Sequence, residues 1–305
     1  MPAALCDLHR HLDGSLRPQT YLALAEAEGL GALEVPRFTP GMGLDAALAC
    51  FAATLRVLQR AEAVERVAAE MVEDARADGV STLEIRFAPQ LHVESTVALD
   101  QLRCVVDAAS AGVAGEAGLI LCLLYGQPTA LAEALVDLAV EHPAVVGVDL
   151  AGGPAPDQSV RMHHYGPAFQ RARASGLGVT VHAGEGRPPA EIAQAIELLG
   201  ATRIGHGTTL LDDERVVDLV LEREVTIEAC LTSNVHVDAI ADVKDHPLPL
   251  WLQRGVRATV CTDNTLLSAV TASSERAEAL SIPGMTPALL ALSDRHGHAG
   301  AFRRG

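Results

Sequence analysis

Lysine is almost absent from this chain, since Lys244 is the single example among 305 residues. Schiff-base enzymes, pyridoxal enzymes, Walker-type nucleotide hydrolases and binuclear hydrolases with a bridging carboxylated lysine all need a lysine at a defined position. Lys244 instead stands in a polar stretch, residues 242–247, that predicts a loop. The sequence therefore argues against all four classes.

Positive charge and long apolar runs are also scarce. The formal net charge is -16, and an acidic surface repels both the nucleic-acid backbone and anionic membranes. No apolar run reaches the roughly 20 residues that span a bilayer, and no charged-then-apolar leader opens the chain. We therefore expect a cytoplasmic protein that binds a neutral or cationic small molecule, with neither nucleic acid nor membrane as partner. The sequence leaves its oligomeric state open.

The chain also has no closely paired cysteines and few aromatic residues. The six cysteines form no C-x-x-C pair, and most lie in apolar runs, which predicts buried free thiols in a reducing compartment. The missing pair also excludes a cytidine-deaminase type of zinc site. Only 3% of residues are aromatic while 49% are hydrophobic, so we expect a folded domain with a core of Ala, Val, Leu and Ile.

Short β-branched runs recur along the chain, each followed by a turn signal and an amphipathic stretch. This alternation occurs eight times and predicts an α/β fold, a parallel (β/α)8 TIM barrel that forms one domain over residues 1–305. The long interval between Gly14 and Val80 predicts extra helices inserted after the first strand, including Leu44–Gln59, which could cap the barrel mouth. The predicted strands are Leu5–Leu12, Thr82–Ala88, Leu119–Tyr125, Val145–Leu150, Val179–His182, Arg203–His206, Thr226–Leu231 and Ala258–Thr262. Other predicted helices are Pro18–Glu28, Ala63–Ala77, Thr129–Glu141, Ser159–Ala174, Pro189–Leu199 and Asp212–Glu222.

Two histidine pairs have the spacing H-x-H. His9 and His11 lie in a predicted strand, so both side chains point to the same face and can bind one ion. His296 and His298 lie in a predicted helix or tail, where residues two apart diverge. Because the active sites of barrels gather at the C-terminal ends of strands, only the first pair is predicted to form a site.

Residues with metal-binding or acid–base side chains also follow the later strands. His182 and His206 end consecutive predicted strands, and Asp263 follows the last. Gly184 allows a tight turn, so that His182 and Glu185 can face one cavity. Imidazole and carboxylate groups are ligands that zinc accepts. Further polar residues at strand ends are Asp7, Asp13, Glu84, Arg86, Asp149, Glu228, Ser233, Asn234 and Asn264.

Five motifs together resemble the adenosine deaminase family of the amidohydrolase superfamily. The resemblance implies zinc-dependent hydrolysis of adenosine or 2′-deoxyadenosine to inosine or 2′-deoxyinosine and ammonia. It also implies one Zn²⁺ per chain, with His9, His11, His182 and Asp263 as ligands. The motifs are Leu8-His9-Arg10-His11-Leu12-Asp13-Gly14-Ser15, Asp149-Leu150-Ala151-Gly152, His182-Ala183-Gly184-Glu185, Gly205-His206-Gly207 and Thr262-Asp263-Asn264.

The resemblance implies a role for each catalytic side chain. Glu185 would give a proton to purine N1, because attack of water at C6 loads negative charge onto N1. His206 would orient the water and accept its proton, and Asp263 would share in holding the hydroxide. The substrate contacts that the family implies come from Asp13 to the ribose 5′-hydroxyl, the Gly152 N–H to N3, and Asn264 to N7.

Three positions depart from the family pattern. Asn264 stands where the family usually has an aspartate. Because N7 only accepts hydrogen bonds, the asparagine amide can donate without the protonation that an aspartate needs. Gly153-Pro154 replace acidic residues and Tyr125-Gly126 replace a common arginine. The chemical identity of the distal part of the substrate therefore stays open.

The sequence leaves other functions open. Within the enzyme class these are deamination of a modified adenine nucleoside such as aminodeoxyfutalosine, or of free adenine. Asp13 favours a ribosyl substrate, because free adenine offers nothing for it to bind. A barrel that has lost catalysis and only binds a ligand conflicts with the complete set of ligands and acid. A two-metal hydrolase of esters or lactams conflicts with the missing lysine.

Overall fold

Parallel strands in chain order form one sheet in the computed structural model, which describes residues 4–31, 33–93, 98–154 and 158–303. The strands of this part of the chain are Leu5–His11 (β1), Val80–Phe87 (β2), Gly118–Leu124 (β3), Val145–Ala151 (β4), Gly178–Ala183 (β5), Arg203–His206 (β6), Thr226–Ala229 (β7) and Arg257–Val260 (β8). The eight predicted strands are thus confirmed, with ends that differ by at most two residues.

The chain just after β8 returns to β1. Arg10 and Asp263 form a parallel bridge, the Asp263 N–H donates to the His9 carbonyl oxygen at 2.8 Å, and the His11 N–H donates to the Asp263 carbonyl oxygen at 2.8 Å. These bonds join the first and last strands into a seam. The predicted (β/α)8 TIM barrel is therefore confirmed.

Helices connect the strands and cover the outside of the barrel. Three of them, α1 to α3, lie between β1 and β2, which confirms the predicted insertion after the first strand. The helices are Pro18–Ala27 (α1), Leu44–Leu55 (α2), Ala61–Ala77 (α3), Leu99–Val113 (α4), Thr129–Glu141 (α5), Gly166–Ala174 (α6), Ala190–Gln194 (α7, continued by a π-helical turn over Ala195–Leu199), Glu214–Glu222 (α8), Leu231–His236 (α9), Leu248–Gln253 (α10), Ala272–Ala279 (α11) and Pro287–Gly300 (α12). Single 3₁₀ turns occupy Pro89–Leu91, Met162–Tyr165, Leu210–Asp212 and Val243–Asp245.

Two predicted helix boundaries lie four or more residues from the observed ones, for local reasons. The helix that begins at Leu44 ends at Leu55, because the Gln59 side-chain amide folds back and donates to the Leu55 carbonyl oxygen at 2.8 Å. The helix predicted from Ser159 begins only at Gly166. Its second residue is Pro167, which has no N–H and is tolerated in the first turn, where that donor has no helical partner.

The strands present apolar residues to the helices and polar residues to the barrel interior. On β2, Ile85 and Phe87 belong to the aliphatic core. Glu84 and Arg86 alternate with them and form ion pairs with residues of other strands, as the period of two requires. The interior beneath the strand ends is therefore charged and fully buried. No helix among the described residues is long and apolar enough to cross a membrane.

Candidate active site

Four potential metal-ligating atoms converge at the C-terminal ends of the strands. His11 Nε2 lies 3.3 Å from both His9 Nε2 and His182 Nε2. Asp263 Oδ1 lies 3.4 Å from the Nε2 atoms of His9 and His11. Ligand atoms at 2.0–2.1 Å from a tetrahedral zinc ion stand about 3.3–3.4 Å apart. The donor set, with four of its six pairwise distances close to this spacing, therefore fits one divalent ion.

Two carboxylates contact the Nδ1 atoms of His9 and His182 and so orient their imidazole rings. Glu228 Oε2 lies 2.8 Å from His9 Nδ1, and Asp149 Oδ2 lies 2.9 Å from His182 Nδ1. A carboxylate in this place accepts the Nδ1 proton, so that Nε2 carries a lone pair toward the centre. Sequence reasoning noted Asp149 and Glu228 as polar residues at strand ends but gave them no role.

Two buried arginines hold these carboxylates in place. Arg86 donates to Asp149 Oδ2 at 3.0 Å and to Glu228 Oε2 at 2.7 Å, while Arg203 donates to Glu228 Oε1 at 2.7 Å. Burial alone would raise the pKa of Glu228, but Arg86 and Arg203 hold that pKa well below its ordinary value. Glu228 is therefore a carboxylate that can accept the His9 proton at any moderate pH.

Glu185 has the opposite protonation tendency. Its Oε1 lies 3.4 Å from His206 Nδ1, and the Asn234 side-chain amide donates to it at 3.5 Å. Burial, and after it the nearby Asp263 carboxylate, raises the pKa of Glu185 to about 7. Glu185 can therefore hold and release a proton near neutral pH, which is the property of a general acid.

His206 and Asp263 have a strained backbone. Their φ angles are 70° and 58°, in the left-handed region that costs a non-glycine residue roughly 1–3 kcal/mol when the surroundings impose it. Asp263 Oδ2 accepts a hydrogen bond from Ser233 Oγ at 2.5 Å, and Asn234 Nδ2 lies 3.0 Å from His206 Nδ1. Residues of α9 thus fix the side chains of both His206 and Asp263, a role that sequence reasoning did not assign to Ser233 or Asn234.

A glycine makes room for the first histidine. A Cβ atom on Gly205 would lie 2.9 Å from His9 Cε1, which is closer than carbon atoms of side chains approach. The motif Gly205-His206-Gly207 therefore has a steric purpose, because the residue before His206 must leave space for the His9 ring.

The converging residues open onto one cavity. The space inside it that water can reach is about 80 Å³. The position of α2 over the mouth agrees with the predicted cap. Gly152, with φ of 72° and open space beside its Cα, also lines the cavity. The apolar wall consists of Phe38, Leu44, Ala47, Leu48, Phe51 and Val237.

Asp13 and Asn264 are buried polar residues near this cavity. Asp13 Oδ1 lies 4.0 Å from His11 Nδ1 and has no hydrogen-bond partner among the described residues. Burial raises the pKa of Asp13 to about 7. Asn264 lines the cavity, and its Oδ1 occupies the space where a side chain on Gly14 would begin. This oxygen also lacks a partner in the described chain.

The second H-x-H pair lies elsewhere. His298, on α12, contacts Thr82 Oγ1 at 2.9 Å and the Ala4 carbonyl oxygen at 2.8 Å, and His296 Nδ1 accepts from the Ala258 N–H at 3.2 Å. These contacts attach α12 to the starts of strands, at the end of the barrel opposite the site. The pair is structural.

Comparison with known proteins gives consistent matches. The family model described as "Adenosine deaminase" matches residues 4–303. An adenosine deaminase from Clostridium kluyveri is 37% identical over 277 residues, which cover 86% of this chain and 79% of that protein. A "Probable adenosine deaminase" from Dictyostelium discoideum is 34% identical over 287 residues, and the match spans 88% of this chain but only 36% of that longer protein. The crystal structure of an adenine deaminase from Arthrobacter aurescens superposes with a TM-score of 0.86 at 25% identity, covering 99% of this chain and 94% of that one.

Proposed function

The chain belongs to the adenosine deaminase family of hydrolytic deaminases, and we propose that it converts adenosine and 2′-deoxyadenosine to inosine and 2′-deoxyinosine, releasing ammonia. The observation that carries the proposal is the placement of Glu185, a carboxyl group with a pKa of about 7, in the same cavity as the ligand residues His11, His182 and Asp263. A proton donor beside a metal centre is what hydrolysis of an aromatic amidine requires.

The family is metal-dependent, and we assign one Zn²⁺ per chain to His9, His11, His182 and Asp263. Distances of 3.3–3.4 Å in four of the six pairs of ligand atoms support this assignment. When bound, the ion would supply Lewis acidity that lowers the pKa of a water molecule toward about 7. Glu228 and Asp149 keep the histidine Nε2 atoms deprotonated for this purpose.

The protein's own side chains then move the protons. His206 orients the attacking water toward purine C6 and accepts a proton from it, while Asp263 accepts a hydrogen bond from the same water. Glu185, in its protonated form, donates to N1 as negative charge develops there. A new C6–O bond forms, and His206 passes the proton that it took from the water to the amino group, which leaves as ammonia when the C6–N bond breaks. The second proton of the water returns to Glu185. Each of these groups lines the cavity.

Recognition of the base rests on two residues at the cavity wall. The Gly152 N–H would donate to N3, and a φ of 72° with open space at its Cα allows that close approach. Asn264 would donate its amide to N7 without first binding a proton. The buried position of Asn264 beside Gly14 supports this contact.

The buried Asp13 favours a nucleoside over the free base. Its Oδ1 has no partner among the described residues, and a buried acceptor without a partner is costly, so a ribose hydroxyl would satisfy it. Free adenine is the second candidate, because the superposed Arthrobacter aurescens protein is an adenine deaminase. The two candidates differ in whether Asp13 has a function.

A substrate panel tests the proposal. Purified protein loaded with zinc is assayed with adenosine, 2′-deoxyadenosine, aminodeoxyfutalosine, adenine and AMP, and the ultraviolet change follows conversion of the amine to a carbonyl. We expect the highest kcat/KM for adenosine and 2′-deoxyadenosine, and one zinc per chain by elemental analysis. A preference for adenine would replace the nucleoside assignment, and inactivity toward all five compounds would overturn the function.

A further inference from the structure

The segment that follows α12 enters the barrel at the end opposite the active site. The ring of Phe302 occupies the space where side chains would begin on Gly147 of β4 and Gly178 of β5. A Cβ atom would lie 2.6 Å from the ring at Gly147 and 2.2 Å from it at Gly178. Glycine at both strand positions therefore admits the ring, which closes this end of the barrel.

Phe302 and its neighbours make three contacts with the charged interior. The Phe302 N–H donates to Glu84 Oε1 at 2.6 Å. The Arg203 guanidinium carbon lies 3.6 Å from the centre of the Phe302 ring, in cation–π contact. Arg203 Nη1 donates to the Gly300 carbonyl oxygen at 3.0 Å. The ring and the two backbone groups thus hold the Arg203–Glu84 ion pair, whose Nη2 to Oε2 distance is 2.5 Å.

A continuous series of hydrogen bonds leads from this ion pair to the metal centre. Arg203 Nε donates to Glu228 Oε1 at 2.7 Å, and Glu228 Oε2 accepts from His9 Nδ1 at 2.8 Å. Glu84, Arg203, Glu228 and His9 are each at most 2% exposed. Water therefore cannot replace a lost partner without entering the barrel, and a displacement of Arg203 is passed to Glu228.

We propose that Phe302 is a positioning residue for the metal centre, an inference that rests on the zinc site of the proposed function. Its ring covers Arg203 and keeps water from the guanidinium, so that Arg203 remains bonded to both Glu84 and Glu228. Glu228 in turn orients the His9 imidazole. Without the ring, water at the end of the barrel competes for Arg203, Glu228 loses one of its fixed donors, and His9 is held less firmly.

Zinc affinity of the otherwise intact protein tests this role. Metal-free wild type, Phe302→Ala, Phe302→Leu and Arg303→Ala are titrated with Zn²⁺ against a chelating dye, well below each variant's Tm. Loss of a group that orients a metal ligand typically weakens binding about 10–100-fold. Phe302 acts through two intervening residues, so we expect roughly three- to tenfold for Phe302→Ala and a smaller loss for Phe302→Leu, which fills the space without an aromatic face. Arg303 is exposed and adjacent, and its replacement should leave the affinity unchanged.

A merely structural role for Phe302 gives a different result. It would lower the Tm of the metal-free protein while leaving the zinc dissociation constant within twofold of wild type, and that outcome overturns the proposal. If Phe302→Ala does not fold, unchanged affinity in Phe302→Leu overturns it equally. The proposal also predicts that activity lost at limiting zinc returns in excess zinc with KM for adenosine unchanged, because Phe302 lies far from the substrate cavity. A wild-type protein that binds no zinc would refute the proposed metal site itself. Equally tight zinc binding in wild type and in both Phe302 variants would refute only the role of Phe302.

Discussion

Replacement of Glu185 by glutamine tests the proton donor directly, because the amide keeps the shape of the side chain and removes its titratable proton. Burial and the Asp263 carboxylate raise the pKa of Glu185 from the ordinary 4.5 to about 7. At pH 7 about half of such groups carry the proton, against roughly one in 300 of unshifted glutamates. Without the ion, a large fraction of Glu185 is thus in the protonated form that the proposed donation to N1 requires.

Two kinetic results follow from that pKa. In the wild type, kcat/KM should fall about tenfold per pH unit once the pH exceeds the pKa of Glu185, because only the protonated form donates. Glu185→Gln should lower turnover by roughly 10²–10⁴-fold at neutral pH and lose this alkaline limb, while its zinc content stays the same. The measurement is a set of pH–rate profiles for wild type, Glu185→Gln and a control, Glu197→Gln, at an exposed glutamate. An alkaline limb that persists in Glu185→Gln belongs to another group and would remove Glu185 from its role.

The same pKa has an effect on stability, which provides an independent measurement. For a carboxyl whose pKa is raised by folding, the linked stability is present below the unfolded pKa and is lost as the pH rises through the folded pKa. The shift from 4.5 to about 7 corresponds to as much as about 3 kcal/mol. Metal-free Glu185→Gln should therefore unfold at higher urea concentration than metal-free wild type at pH 8, and the difference should shrink to below about 1 kcal/mol at pH 5. Equal stability of the two metal-free proteins at pH 8 would show that folding does not raise the pKa of the Glu185 carboxyl group.

Three further predictions concern the metal and the substrate contacts. His9→Ala and His182→Ala should each lose both zinc and activity, because each removes one of the four proposed ligands and so weakens binding of the ion; elemental analysis checks this, and wild type that stays active after exhaustive chelation would contradict it. Asn264→Asp should be tolerated but work best at lower pH than wild type, because an aspartate must be protonated to donate to N7; an unchanged pH profile would show that residue 264 does not face the base. Asp13→Ala should lower kcat/KM for adenosine by roughly ten- to a hundredfold while zinc is retained, because a hydrogen bond worth about 1.5–3 kcal/mol is lost. Equal losses for adenosine and adenine would refute the ribose contact.

Features set by local sequence were predictable from it. The period of two along a strand places His9 and His11 on one face, and the structure brings their Nε2 atoms to 3.3 Å. Turn signals and apolar runs delimited the strands to within two residues. The lone lysine was also interpreted correctly, because Lys244 lies exposed in the 3₁₀ turn Val243–Asp245.

Features that depend on closure of the barrel were not predictable. Glu228 could be recognised as a polar residue at a strand end, but its contacts with His9, Arg86 and Arg203 join strands distant in sequence. The role of Ser233 and Asn234 depends on a short helix, α9, that begins directly after β7 and has no strong local signal. Phe302 gave no signal at all, since the space for its ring is created by two glycines on other strands.

The seam between β1 and β8 relates the metal site to the order in which the chain folds. Asp263 contributes its backbone to the seam and its carboxylate to the proposed ligand set, while its partners His9 and His11 belong to the first strand. The complete ligand set therefore cannot assemble until synthesis has passed the last strand, and a partly made barrel cannot bind the ion tightly. An ion bound afterwards would connect the two strands that are farthest apart in the chain, so its binding free energy would oppose opening of the barrel at this boundary. Release of the metal should accordingly loosen this boundary before any other part of the sheet.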